Sequence, residues 1–187
     1  MRTLTTSEQK KKIEQEVDEL IQESSKPAEA ANTKRTDLKR DIYLAEDLAM
    51  REIEQEFEVK TNRQVAFGSM DAGIDGMFAK NGKGYGIEVK FVCNTLSRNV
   101  INQAAGIGNQ LFERYGWKNF DMIIAVVLDN QNPVEVQKQR NQIQELVNEK
   151  GDGYHCRVYE YGELLKKCGI DKNGYRSFKV YRRIRRR

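Results

Sequence analysis

Residues 121–129, DMIIAVVLD, limit what this chain can fold into more than any other stretch. The run is apolar without a break between its two aspartates, and mostly β-branched. A strand of that kind has no polar face, so it belongs at the centre of a sheet with helices covering both sides. The flanking segments supply such helices. Ser97 to Tyr115 reads as a helix with Val100, Ala104, Ile107 and Leu111 on one face, and Asn132-Pro133 opens another, PVEVQKQRNQIQELVNEK, which GDG closes. YHCRVYEY, residues 154–161, returns as a strand, followed by GELLKKCGI as a short helix. Strands that alternate with helices call for a right-handed crossover and a parallel pair.

Upstream the pattern changes. GIDGMFA and YGIEVKFVC read as two extended segments joined by KNGKG, where Asn81-Gly82 is a strong hairpin signal. Val59 to Phe67 is expected as a strand ending at the glycine-punctuated GSMDAG, and Leu38 to Phe57 as a helix of strong formers. Antiparallel hairpin and parallel pair together predict an α/β fold with a mixed central sheet flanked by helices. An added N-terminal helix precedes it. Thr5 and Glu8 stand at capping-box spacing, and Ile13, Val17, Leu20 and Ile21 form a narrow apolar stripe over Thr5 to Ser24. So narrow a stripe must lean on the core, on a second copy or on a partner. SSKPAEAANTKRTD, residues 24–37, reads as a linker or broken helix. The expected organisation is residues 1–35 as N-terminal helix and linker, 36–170 as the α/β core, and 171–187 as a basic C-terminal segment.

The chain has 187 residues, 39% of them hydrophobic and 32% charged, enough for one domain with a real core. No apolar run approaches the ~20 residues of a membrane span, and MRTLTTSEQKKKIEQ lacks a signal-peptide h-region. A cytoplasmic location with no membrane partner is expected. Three cysteines without a CxxC pair and a single histidine, His155, argue against a disulfide framework or a structural zinc site. Net charge is only +4, but RRIRRR closes the chain. Arg182, Arg183, Arg185, Arg186 and Arg187, with Tyr175 and Tyr181 nearby, suit contact with nucleic acid; a solvated tail fits the charge equally.

Within the apolar strand IEVKFV, Glu88 and Lys90 share one face while Ile87, Val89 and Phe91 take the other. That face is expected to be polar, because a buried pair of charges is costly without something to balance it. The hairpin brings Asp75, in the Gly-flanked GID, alongside. Two carboxylates and an ammonium then converge. An ordinary same-face ion pair on a half-exposed strand is the competing reading.

These residues and the order of elements around them resemble the PD-(D/E)xK nuclease superfamily, the restriction-endonuclease-like fold shared by Holliday junction resolvase-type and restriction enzymes. The resemblance covers about residues 38–165: a helix bearing a glutamate, Asp75 in a strand, Glu88-Val89-Lys90 in the next, then helix, strand and helix. One departure is Ile74 where the family motif often has proline. The resemblance implies a metal-dependent nuclease hydrolysing phosphodiester bonds in DNA, or RNA. Asp75, Glu88 and the Val89 carbonyl would hold Mg²⁺ or Mn²⁺ through hard oxygen donors. Lys90 would orient and help deprotonate the attacking water, or act as a cation on the transition state. The helix glutamate is Glu46, which shares a face with Ala49, Met50, Ile53 and Phe57; Glu52 is its competitor, and Glu54, Glu56 and Glu58 read as solvated.

Asn99, Gln103 and Gln110 form a polar stripe on the following helix. The resemblance implies that a glutamine on this helix helps set the water or a backbone phosphate, which makes Gln103 the candidate, against a plain solvated face. Ala104, Ala105, Gly106 and Gly108 make that helix slim, which implies close packing on the sheet or on a second subunit. His155 is expected to have no catalytic duty, and Tyr115 and Trp117 to pack as core. No target-recognition domain is evident, so a homodimer or a partner subunit would supply recognition. A non-catalytic nucleic-acid-binding or assembly module is the alternative function, and an interaction protein working through its N-terminal helix is a third.

Overall fold

A computed structural model describes residues 2–23, 31–67, 73–93, 96–115 and 119–170. Its elements run β1 (Arg2–Thr3), α1 (Thr6–Glu23), α2 (Ala31–Phe57), β2 (Asn62–Ala66), β3 (Ile74–Lys80) and β4 (Lys83–Cys93). They continue with α3 (Arg98–Tyr115), β5 (Phe120–Asp129), α4 (Pro133–Asn148), β6 (Tyr154–Glu160) and α5 (Tyr161–Lys167). The six strands form one mixed sheet in chain order, β1 to β6. β1 through β4 pair antiparallel, whereas β4, β5 and β6 run parallel.

Each expected signal has a physical counterpart. In the hairpin, Asn81 at φ 53° and Gly82 at φ 76° supply the two left-handed residues of a tight turn whose twist matches the strands. The ladder then runs from Lys80↔Lys83 to Gly76↔Ile87. At α4, the Asn132 side chain accepts from the Val134 and Glu135 N–H groups, with Pro133 in the first turn. The capping box of α1 also forms: the Thr5 N–H donates to Glu8 Oε2 at 2.7 Å and the Glu8 N–H to Thr5 Oγ1 at 3.3 Å.

β5 is an interior strand, paired with β4 and β6, and buried along nearly its whole length. Its even-numbered residues Met122, Ile124, Val126 and Leu128 pack with α3 and α4, through Ile101, Ala104, Leu111, Ile143 and Val147. Ile123, Ala125 and Val127 face the other way, onto α2 and α5. The core is therefore two apolar layers separated by the sheet. α1 lies against α2 and contributes Ile13 and Val17 to the second layer. The stripe thus leans on the core.

Two expectations are corrected. The helix expected from Leu38 begins earlier, at Ala31, and no Gly or Pro opposes it from there onward, while residues 24–30 of the expected linker lie outside what is described. The strand β1 was not foreseen, since two residues carry no readable periodicity. It extends the sheet by pairing Arg2 with Ala66 and Thr3 with Val65. No helix among the described residues is long and apolar enough to cross a membrane. Trp117, the Tyr115 side chain and residues 171–187, including the five candidate arginines, lie outside what is described.

The slim face of α3 has a partial packing reason. A Cβ at Gly108 would fall 2.7 Å from Met122 Cγ and 2.8 Å from the Tyr154 hydroxyl, so this glycine lets the helix approach β5 and β6. At Gly106 nothing lies within 4 Å. Gly108→Ala is therefore expected to destabilise the fold by about 1–3 kcal/mol through overpacking, and Gly106→Ala to stabilise it by about 0.5–1 kcal/mol through helix propensity. Urea denaturation of both variants checks the contrast, and equal midpoints would refute it.

Candidate active site

The hairpin positions the first two side chains. Beyond the last ladder pair the Asp75 side chain itself takes up the strand's hydrogen bonding, its Oδ2 accepting the Val89 N–H at 2.7 Å. Glu88 lies one residue before Val89, on the opposite face from the buried Ile87, Val89 and Phe91. Asp75 and Glu88 meet at a single cation. Lys12 Nζ of α1 lies 2.6 Å from Asp75 Oδ1 and 2.9 Å from Glu88 Oε1.

Lys90 completes the row, its Nζ 3.1 Å from Glu88 Oε1 and 2.5 Å from Glu16 Oε1 of α1. The face carrying these residues is polar but lacks the half-exposure that the competing reading of an ordinary ion pair requires. Asp75 is 4%, Glu88 0% and Lys90 7% exposed. What changes the outcome is α1, which covers the row and supplies counter-charges to it. Burial of such charges is tolerated only when each has a partner of opposite sign.

Glu46, on α2, is half-buried and feels the same cluster. Burial raises its carboxyl well above the usual carboxylate range, and the like charges of Asp75, Glu16 and Glu88 add to that, against an opposing pull from Lys12. Burial and the neighbouring Glu88 also push Asp75 up, to about 6. Glu88 goes the other way: burial alone would raise it, but Lys12 and Lys90 outweigh that and hold it below its ordinary value. Burial opposes the charged form of Lys90 too, yet Glu16 and Glu88 more than offset it, so Lys90 is held as an ammonium. When all are ionised, the four carboxylates of Glu16, Glu46, Asp75 and Glu88 stand against two ammonium groups. Two negative charges remain.

That surplus bears on whether the residues suit a divalent cation. Asp75 and Glu88 offer hard oxygen donors aimed at one point that already holds a positive atom. Glu88 Oε1 is fully buried and has no hydrogen bond of good geometry, despite the two nearby ammonium groups. Both facts fit. Among the described residues no three Asp, Glu, His or Cys side chains converge as a ready-made shell, so backbone carbonyl and water would have to complete the coordination. Val89 is buried beside the pair, with its N–H on Asp75.

Glu52, the competitor for the helix role, points away and pairs with Lys167 of α5 at 2.6 Å. Glu54 and Glu56 are not merely solvated: Glu54 accepts from Thr61 and Arg63, and Glu56 from Arg157. Gln103 of α3 is exposed and donates to Glu19 Oε1 of α1 at 3.2 Å. His155 is elsewhere, its Nε2 2.6 Å from Asp121 Oδ2, which also holds Lys83 at 2.7 Å. Sequence reasoning missed Lys12, Glu16 and Glu19. Their i, i+4, i+7 spacing was legible as a stripe of α1, but on a helix rich in Glu, Gln and Lys it looked like any solvated face.

Compared with protein-family models, curated proteins and solved structures, the chain matches none.

Raised carboxyl pKa values carry a sign for stability. The folded chain binds protons at Asp75 and Glu46 more tightly than the unfolded chain does, so these groups cost stability as pH rises through the carboxylate range, for Asp75 from about 3.8 toward about 6. Glu46→Gln mimics the protonated form. It is expected to raise the urea midpoint at about pH 8 and to leave it near wild type at about pH 4. A midpoint at the higher pH no greater than that of wild type would contradict the assignment of Glu46 to the cluster.

Proposed function

We propose that this chain is a divalent-metal-dependent nuclease of the restriction-endonuclease-like kind, hydrolysing phosphodiester bonds in DNA. The observation that carries the reading is the convergence of Asp75 and Glu88 on one cation position with Lys90 beside them. The succession α2, β2, β3, β4, α3, β5, α4, β6 supports it as well, since the charged residues fall on the hairpin strands where the resemblance calls for them.

Asp75 and Glu88 would hold Mg²⁺ or Mn²⁺, with the Val89 carbonyl as a third donor. The ion, when bound, supplies an activated water and neutralises phosphate charge. The chain's own residues do the rest. Lys90 presents a fixed positive charge in a water-poor setting, where it is worth more to a developing phosphorane than it would be in bulk water. Its raised pKa favours the cationic role over that of a base. Glu46 is the reserve carboxyl, able to take or give up a proton as the local charge changes. Gln103, exposed on α3, would meet a backbone phosphate. The arginines from Arg182 to Arg187 would add phosphate contacts, and cutting both strands of a duplex would require a second copy or a partner subunit.

One observation favours the alternative of a nucleic-acid-binding or assembly module: Lys12 already fills the cation position. Cleavage decides between them. Plasmid, single-stranded and branched DNA, and RNA, are incubated with and without Mg²⁺ or Mn²⁺. Wild type is expected to cut DNA only with metal, and Asp75→Ala and Lys90→Ala each to lose at least about 10²-fold in rate. Cutting that survives in both variants would sink the assignment, and binding without cutting under every condition would select the module.

A further inference from the structure

α1 touches every polar residue assigned to the site on the sheet and α3. Lys12 donates to Asp75 and Glu88, the Lys90 ammonium to Glu16, and the Gln103 amide to Glu19. The three α1 residues lie at i, i+4 and i+7, one stripe of the helix, and their chemistry is ordered. The cation sits on the two carboxylates, and the first carboxylate sits on the lysine. The second carboxylate accepts from the amide.

That sequence of charges is the one a divalent cation followed by phosphate oxygens would present to the same groups. We propose that α1 is an internal mimic of the metal–phosphate ligand, and that loading the site requires α1 to withdraw. This rests on the nuclease reading of Asp75, Glu88 and Lys90. Lys12 stands in for the metal's charge and Glu16 for a phosphate oxygen at Lys90.

The packing fits a displaceable element. Among the described side chains α1 buries Ile13 and Val17, with Leu20 and Ile21 partly buried, whereas α2 buries Ile42, Leu44, Ala45, Leu48, Ala49, Met50 and Ile53, so less apolar area holds α1 in place. Between α1 and α3 a cleft of about 560 Å³ reaches Glu88 and Lys90, with Lys11, Gln15, Gly106 and Gln110 on its walls. This is small-ligand size. A nucleic acid duplex does not fit beneath a seated α1.

The test follows Mn²⁺ binding by electron paramagnetic resonance, and amide hydrogen exchange of α1, in the full-length chain. Lys12→Gln keeps a polar, hydrogen-bonding end, one bond shorter than the ammonium's, and removes its charge. It is expected to bind Mn²⁺ at least about tenfold tighter than wild type, equivalent to about 1.4 kcal/mol, and the added change Asp75→Ala to abolish that binding. In the unaltered chain, Mn²⁺ together with a duplex oligonucleotide is expected to speed exchange of the amides of residues 6–23 while leaving β5 protected. Equal, Asp75-dependent Mn²⁺ affinity in wild type and Lys12→Gln would keep the metal site and overturn the mimic. Absence of Asp75-dependent binding in both proteins would overturn the metal site and the mimic together. If Lys12→Gln does not fold, α1 protection that stays unchanged in the wild-type chain with Mn²⁺ and the duplex bound still refutes withdrawal.

Discussion

A row of charge buried against an apolar strand is the constraint on which this molecule depends. Asp75, Glu88 and Lys90 lie where water barely reaches them, and an ionised group in that position costs several kcal/mol unless something of opposite sign stands beside it. The chain answers with a helix of opposing charge. Lys12 bridges the two carboxylates and Glu16 meets the lysine, so α1, β3 and β4 are joined by ion pairs as well as by packing. The balance is incomplete. Four carboxylates face two ammonium groups, and burial, reinforced by that excess of negative charge, raises the carboxyls of Glu46 and Asp75.

The rest of the fold gives this row a rigid base. β5 pairs in parallel with β4 over ten residues and is apolar on both faces, so β4 is fixed along its length while its one charged stretch projects from it. On the other side, the tight turn at Asn81-Gly82 sets the β3 register, and the Asp75 side chain replaces a ladder bond where the strands part. A strand held on one side by a full ladder and on the other by a partial one leaves the two carboxylates facing a common point. A pair so held suits a cation, and unpaired it would be strongly destabilising.

α1 links the two halves of the molecule across this point. Its apolar stripe joins the α2 layer through Ile13 and Val17, while its polar stripe reaches through Lys12 and Glu16 to Glu19 and the α3 amide of Gln103. Few apolar contacts and many charged ones make it an element whose seating depends on the state of the site. Charged contacts that close over a buried row of charge compete directly with any ligand of the same charge pattern, and the competition is settled by differential affinity alone.

Much of the architecture was legible locally. The unbroken apolar run at residues 121–129 required a covered central strand, Asn81-Gly82 required a tight hairpin, Asn132-Pro133 required a helix start, and Thr5 with Glu8 required a cap, because each is a short-range rule of sterics or hydrogen bonding. The pairing of Asp75 with Glu88 followed from the same hairpin. The choice between Glu46 and Glu52 did not, since both faces of α2 carry apolar neighbours and only the packed sheet shows that Glu46 shares the cluster while Glu52 meets Lys167. Nor did the cover over the site. A stripe of Lys12, Glu16 and Glu19 has the same helical periodicity whether it faces water or a buried row of charges, and these partners are more than 60 residues away in the chain. The sequence by itself determined most of the elements and the hairpin that joins the two carboxylates, since those depend on neighbours a few residues apart. Only the tertiary structure decided that the row is buried and that α1 supplies its counter-charges, because burial and charge pairing are set by what long-range packing brings into contact.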